Sequence, residues 1–252
     1  IAVLLEDGSA FLSFRGTDAT LVGWKEDFSM SFLDAVPAQQ AALDYVERFA
    51  SLFPGSLRLG GHSKGGNLAV FAGALARIKV RDRILAIYNN DGPGFTRLVL
   101  DSPGYQELLT RLHTFIPQSS VVGLLLEHDE PHTVVRSRQI GLLQHDPYSW
   151  EVEGGSFLQA EEITPGSRMA DQAIKGWLAG LSPQERSQFV DSLFQLLSAG
   201  EASTTADLLQ PRNLQAALRS LADDRDGTRR TLAEGLIQLA RSAASVWREN
   251  VP

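Results

Sequence analysis

The 252-residue sequence contains no cysteine, which excludes a disulfide framework, a thiol nucleophile and a thiolate metal site. It also has no apolar run of about eighteen residues, the length a spanning helix requires. Positive charge is in deficit: 23 Lys and Arg against 30 Asp and Glu give a formal net charge of −7, a balance that argues against nucleic acid as a partner. A signal peptide, a metalloprotease H-E-x-x-H and a phosphate-loop G-x-x-x-x-G-K-[ST] are all missing, as are internal repeats and low-complexity segments. The chain opens at Ile1 rather than Met, directly in a strand-like run, so an upstream segment is expected to be missing. A cytoplasmic location is expected.

What is present is ample material for a core, with 43% hydrophobic residues, in a length that suits one large domain or a domain with an appendage. Two apolar runs around Asp7-Gly8 read as a β-hairpin. Ala41, Ala42, Tyr45, Val46, Phe49 and Leu52 recur at helical spacing, and Pro54-Gly55 ends that helix. Strand candidates follow at 57–61, 84–88, 112–116 and 132–136, with helical stretches at 66–77 and 104–112. Strands alternating with helices indicate parallel βαβ units, hence an α/β fold. After about residue 165 the pattern becomes almost wholly helical. Ser182-Pro-Gln-Glu185 is a capping box with proline at the first helical position, and further helices are expected at about 205–221, after or across Pro211, and at 228–248. The expected organisation is an α/β domain over 1–164 and an all-helical C-terminal appendage over 165–252.

The most informative stretch is Gly61-His-Ser-Lys-Gly65 with Gly66-Asn67 behind it. It matches G-x-S-x-G, the nucleophile elbow of α/β-hydrolases, and it stands between an apolar run and an Ala-rich helical pattern, as an elbow requires. The turn strains Ser63, and the flanking glycines let strand and helix approach. The serine oxygen is lifted above the sheet, and the Lys64 amide with the helix dipole is aimed at a developing oxyanion.

Phe14-Arg-Gly-Thr17, the pair Trp24 and Asp27, and Gly61-His-Ser-Lys-Gly-Gly66 together resemble the class 3 (fungal-type) lipases of the α/β-hydrolase fold, and the whole set resembles a bacterial branch of that fold. Gln144-His145-Asp-Pro-Tyr-Ser-Trp150 resembles the part of that family that holds its histidine. The resemblance covers about residues 1–160. It implies an acyl-serine mechanism with no cofactor and an oxyanion hole formed by the Lys64 amide and Thr17.

A serine hydroxyl needs a base within hydrogen-bond reach and an acid that orients the base. Among five histidines, His62 is expected to point into the fold, His113 and His132 to lie on strands, and His128 to be solvated. His145, in a turn-rich loop after the last strand, is the candidate base, and the order Ser, acid, His suits the fold. The acid is less direct. Where the class 3 resemblance implies an aspartate, the sequence offers Ser119 and Ser120. Asn90-Asp91-Gly-Pro-Gly-Phe95, one strand earlier, resembles the acid turn of pancreatic-type lipases. Asp91 is therefore the first candidate, with Glu127 and Asp129 as alternatives. Asp146 adjoins His145 too closely in sequence to orient its ring. The Lys64 ammonium could pair with Glu26 or Asp27, or meet an anionic substrate. His128-Asp-Glu-Pro-His132 reads as surface charge, so no metal site is expected.

The sequence thus points to a serine hydrolase of lipase or esterase type, with Ser63, His145 and Asp91 as triad and a small-molecule acyl ester or lipid-like compound as substrate. An acyl-thioesterase, an acyltransferase or an inactive binding module of the same fold are the alternatives. The C-terminal helices are expected either to wall an acyl pocket or to join copies of the chain in a homo-oligomer.

Overall fold

The computed structural model describes residues 1–250 apart from 19, 201, 209 and 224–226. Position 209, inside the expected second tail helix, and the last two residues of the 165–252 range lie outside the described residues. In chain order the elements are β1 (Ala2–Leu4), β2 (Ala10–Phe14), α1 (Leu21–Ser29), α2 (Pro37–Leu52), β3 (Leu57–His62), α3 (Lys64–Leu75), α4 (Ile78–Arg81), β4 (Ile84–Asn90), α5 (Arg97–Leu100), α6 (Pro103–Leu108), β5 (Leu112–Pro117) and β6 (His132–Val135). There follow a small hairpin, β7 (Val152–Glu153) with β8 (Ser156–Phe157), and the helices α7 (Pro165–Ala179), α8 (Pro183–Leu197), α9 (Thr205–Leu208), α10 (Pro211–Asp223) and α11 (Thr228–Asn250).

Strands β1 to β6 lie side by side in chain order. The hairpin at Asp7-Gly8 makes β1 antiparallel to β2, and every later neighbour is parallel. This is a mostly parallel α/β sheet flanked by helices, the expected class. The chain forms two compact units, one of residues 1–16 and 34–171, the other of residues 17–33 and 172–250 as far as described.

The sheet unit is built around α3, whose residues Lys64 to Ala74 are all buried. Its small side chains let it lie close on the sheet, where Leu68 and Phe71 join Leu12, Leu59 and Ile87 in one apolar core. Helices α2 and α6 pack beside α3, and Ala42, Val46 and Ala50 form the buried stripe of α2. On the sheet itself Phe11, Tyr88 and His113 stack in a row across β2, β4 and β5, with centroid spacings of 6.1 and 5.3 Å.

The helical unit packs α8 against α1, α10 and α11. Leu21, Val190 and Phe194 form its centre, with Phe32, Leu193 and Leu197 around them. The capping box forms as expected: Ser182 Oγ accepts from the Glu185 amide at 3.3 Å, and Glu185 accepts from the Ser182 amide at 2.8 Å. Pro211 lacks the N–H a helix interior needs, so it starts α10 instead of lying within a longer helix. Among the described residues, no helix is long and apolar enough to cross a membrane.

Candidate active site

The strand β3 ends at His62 and α3 begins at Lys64, so Ser63 alone makes the turn. Its φ of 57° and ψ of −133° lie in a region that costs a non-glycine residue about 1–3 kcal/mol. Backbone hydrogen bonds hold the turn: the Ser63 amide donates to the Asn90 carbonyl at 2.9 Å, and the Ser63 carbonyl accepts from the Gly66 amide at 2.9 Å and the Asn67 amide at 3.4 Å. The glycines of the motif are there for approach. A Cβ on Gly61 would stand 2.4 Å from the Gly65 carbonyl, and one on Gly65 would stand 2.2 Å from the Phe14 carbonyl. Strand, elbow helix and the end of β2 therefore meet backbone to backbone.

The turn after β4 is tied to this elbow by Asn67, a fully buried residue on the first turn of α3. Its amide donates to the carbonyls of Pro93 at 3.1 Å and Gly94 at 2.9 Å, and its oxygen accepts from Gln39 at 2.8 Å. Asp91 leads that turn in the left-handed region, φ 52°, where Asp is better tolerated than most side chains. Its carboxylate is 0% exposed and each oxygen is used. Oδ1 accepts from Ser120 Oγ at 2.5 Å and from the Gly123 amide at 3.1 Å. Oδ2 lies 2.6 Å from His145 Nδ1.

The carboxylate fixes the neutral tautomer of His145: Nδ1 carries the proton and Nε2 is left as an acceptor. The loop that bears His145 is anchored on both sides. Buried Gln144 accepts from the Ser119 amide at 2.8 Å and donates to the Gln139 carbonyl at 2.9 Å, while Trp150 donates to the Gln144 carbonyl at 2.8 Å. His145 itself lies beside His62, the chain neighbour of Ser63, with ring centroids 4.5 Å apart.

Other candidates are placed elsewhere. Glu127 pairs through its backbone with Phe95, and Asp129 forms an ion pair with Arg97 at 3.2 Å. Asp146 caps the turn at Tyr148, accepting from its amide at 3.0 Å. Lys64 is buried at the start of α3, 5% exposed. Thr17 belongs to the helical unit, where its hydroxyl donates to Asp27.

Two expectations about histidines are corrected. His62 does not turn into the fold but lies half-buried against His145, since the elbow places its side chain on the same side of the turn as the histidine loop. Burial, joined by repulsion from the His145 ring, holds it below the ordinary imidazole range. His128 is not solvated: its Nδ1 lies 3.0 Å from buried Glu130, and its Nε2 is buried without a hydrogen-bond partner. Ser120 and Gly123 are partners of Asp91 that the sequence does not point to, beyond the pair of serines standing where the resemblance implies an aspartate.

Among the described residues no group of three or more His, Asp and Glu side chains could hold a metal ion. Comparison with curated proteins and with solved structures gives no match. A family model does match, over residues 2–195, a span that includes the elbow, the Asp91 turn and the His145 loop: the chain belongs to the Mbeg1-like family, which is lipase-like.

Proposed function

We propose that the protein is a serine hydrolase that cleaves carboxylic esters through an acyl-Ser63 intermediate. The observation that carries this reading is the 2.6 Å pairing of His145 Nδ1 with the buried Asp91 carboxylate, on a loop beside a strained serine elbow. In this scheme His145 Nε2 takes the Ser63 proton as Oγ attacks the ester carbonyl. The imidazolium then gives that proton to the leaving alcohol. A water next loses its proton to Nε2 as it attacks the acyl carbon, and the proton returns to Ser63 as the acid departs. Asp91 keeps the ring in the required tautomer and stabilises the imidazolium. The Lys64 amide, first N–H of the twelve-residue α3, faces the developing oxyanion with the positive end of the helix dipole behind it. No cofactor enters the scheme.

A fluorophosphonate probe tests the reading directly. We expect stoichiometric labelling of Ser63, abolished by Ser63→Ala and by His145→Ala, with p-nitrophenyl esters turned over by the same sample. Absence of labelling in folded protein would overturn the hydrolase reading in favour of a binding module.

A further inference from the structure

The histidine that precedes the nucleophile has a task of its own. His62 Nε2 lies 2.6 Å from the backbone carbonyl oxygen of His145. A carbonyl can only accept, so Nε2 carries the proton and donates it, and the neutral ring has its bare nitrogen at Nδ1. The ring of His62 also packs on that of His145 at 4.5 Å, tilted by 42°.

His145 is thereby held at two unconnected points. Asp91 fixes its ring through Nδ1, and His62 fixes its main chain through the carbonyl. The second tie matters for geometry because His62 and Ser63 are adjacent in the chain. The hydrogen bond spans 83 residues of sequence and leaves one peptide unit between the anchor and Ser63. Gln144 anchors the same loop to Ser119, and the His62 bond adds a tie from His145 itself to the residue beside the nucleophile.

We propose that His62 is a positioning residue whose Nε2–H, donated to the His145 carbonyl, locks the histidine loop to the nucleophile elbow and so fixes the distance over which Ser63 and His145 exchange a proton. The inference rests on the hydrolase reading for its kinetic consequence, but the tie itself does not. A neutral His62 suits the role. A second cation 4.5 Å from His145 would oppose the imidazolium that forms there in each half-reaction, and burial disfavours charge on the His62 ring.

Two substitutions and one spectrum test this in the full chain. His62→Leu removes the donor but keeps an apolar body of similar size, and we expect kcat for a short p-nitrophenyl ester to fall about 10- to 100-fold, the range for a misplaced reacting group, with KM within about twofold. His62→Gln can present an N–H near the position of Nε2, and we expect it to recover kcat to within about threefold of the starting protein. A Leu variant with unchanged kcat, or a folded Gln variant as slow as the Leu variant, would overturn the proposal. Long-range proton–nitrogen NMR of the unaltered protein reads the tautomer without reference to activity: a protonated Nε2 and bare Nδ1 at His62 are expected, and the opposite tautomer would overturn the tie. If Ser63 takes no fluorophosphonate label, the hydrolase reading fails while the spectrum still decides the tie.

Discussion

Asp91 is a carboxylate with no access to water, and such a group is tolerated only when its oxygens are all satisfied. Ser120 and Gly123 satisfy Oδ1, leaving Oδ2 for His145. Ser120 thus stands where the lipase resemblance implies an acid, and instead of supplying the carboxylate it steadies one that arrives from the preceding strand. Gly123 contributes by its size as well as its amide, since a Cβ there would lie 2.3 Å from Asp91 Oδ1. We expect Ser120→Ala to lower unfolding free energy by about 1–3 kcal/mol, the cost of leaving a buried acceptor short of a donor. On the proposed hydrolase reading, ester turnover should fall with it, because Asp91 would gain freedom to rotate. Urea denaturation together with kcat on the same sample checks both; an unchanged kcat would mean that Asp91 needs no support from Ser120.

At the scale of elements, a second buried carboxylate holds the loop that leads into β6. Glu130 accepts from Thr114 on β5 at 2.8 Å, from Tyr105 on α6, and faces His128 Nδ1 at 3.0 Å. Burial pushes its pKa up, but the hydrogen bonds and charge of His128, with those of Tyr105 and Thr114, outweigh it and bring the value down to about 2. The same burial and the adjacent carboxylate push the Tyr105 hydroxyl well above its ordinary range. For Glu130 the folded value lies below the unfolded one. Its contribution to stability is therefore complete above the ordinary glutamate range and is lost as pH falls from there toward 2. We expect Glu130→Gln to be less stable than the starting protein at pH 7, with the difference shrinking as pH is lowered from about 4.5 to 2.5. Denaturant midpoints measured at the two ends of that range check it; a difference that grows on acidification would contradict the assigned direction.

These two carboxylates also mark where sequence reading reaches and where it stops. The elbow is legible because its requirements are local: Gly61, Ser63 and Gly65 lie within five residues, and the strand before and helix after announce themselves by apolar pattern. The Pro211 break and the Ser182 capping box are legible for the same reason. The Asp91 clamp is not, since Ser120 and Gly123 stand 29 and 32 residues away and neither periodicity nor spacing encodes a side-chain hydrogen bond across strands. His128 misleads for a related reason. Its acidic neighbours Glu127, Asp129 and Glu130 look like a solvated run, yet Glu130 is turned inward by Tyr105 and Thr114, partners far off in sequence.

At the scale of the whole molecule, the helical unit is discontinuous in sequence. It takes in residues 17–33, which lie between β2 and α2, together with the chain from 172 onward. No change of composition at residues 17 or 33 announces this. The reason is visible in the packing: Leu21 of α1 is buried with Val190 and Phe194 of α8, Phe28 meets Phe194 with centroids 5.9 Å apart, and Lys25 pairs with Asp191 at 2.7 Å. Arg186 of α8 adds a hydrogen bond to the Ser31 carbonyl at 2.6 Å. Helix α1 has nine residues, too few to be stable in water without a packed face. Removing 172–252 therefore takes away the partner of a segment that remains in the chain and exposes Leu21, Phe28 and Phe32 together. We expect the truncated protein to lose soluble yield and to bind a hydrophobic dye, with a helix loss by circular dichroism larger than the deleted residues account for. Replacing Leu21, Phe28 and Phe32 with polar residues in the truncated chain should restore solubility, because it removes the orphaned face. A truncation that stays soluble, dye-silent and helical at residues 21–29 would mean that α1 is held without α8.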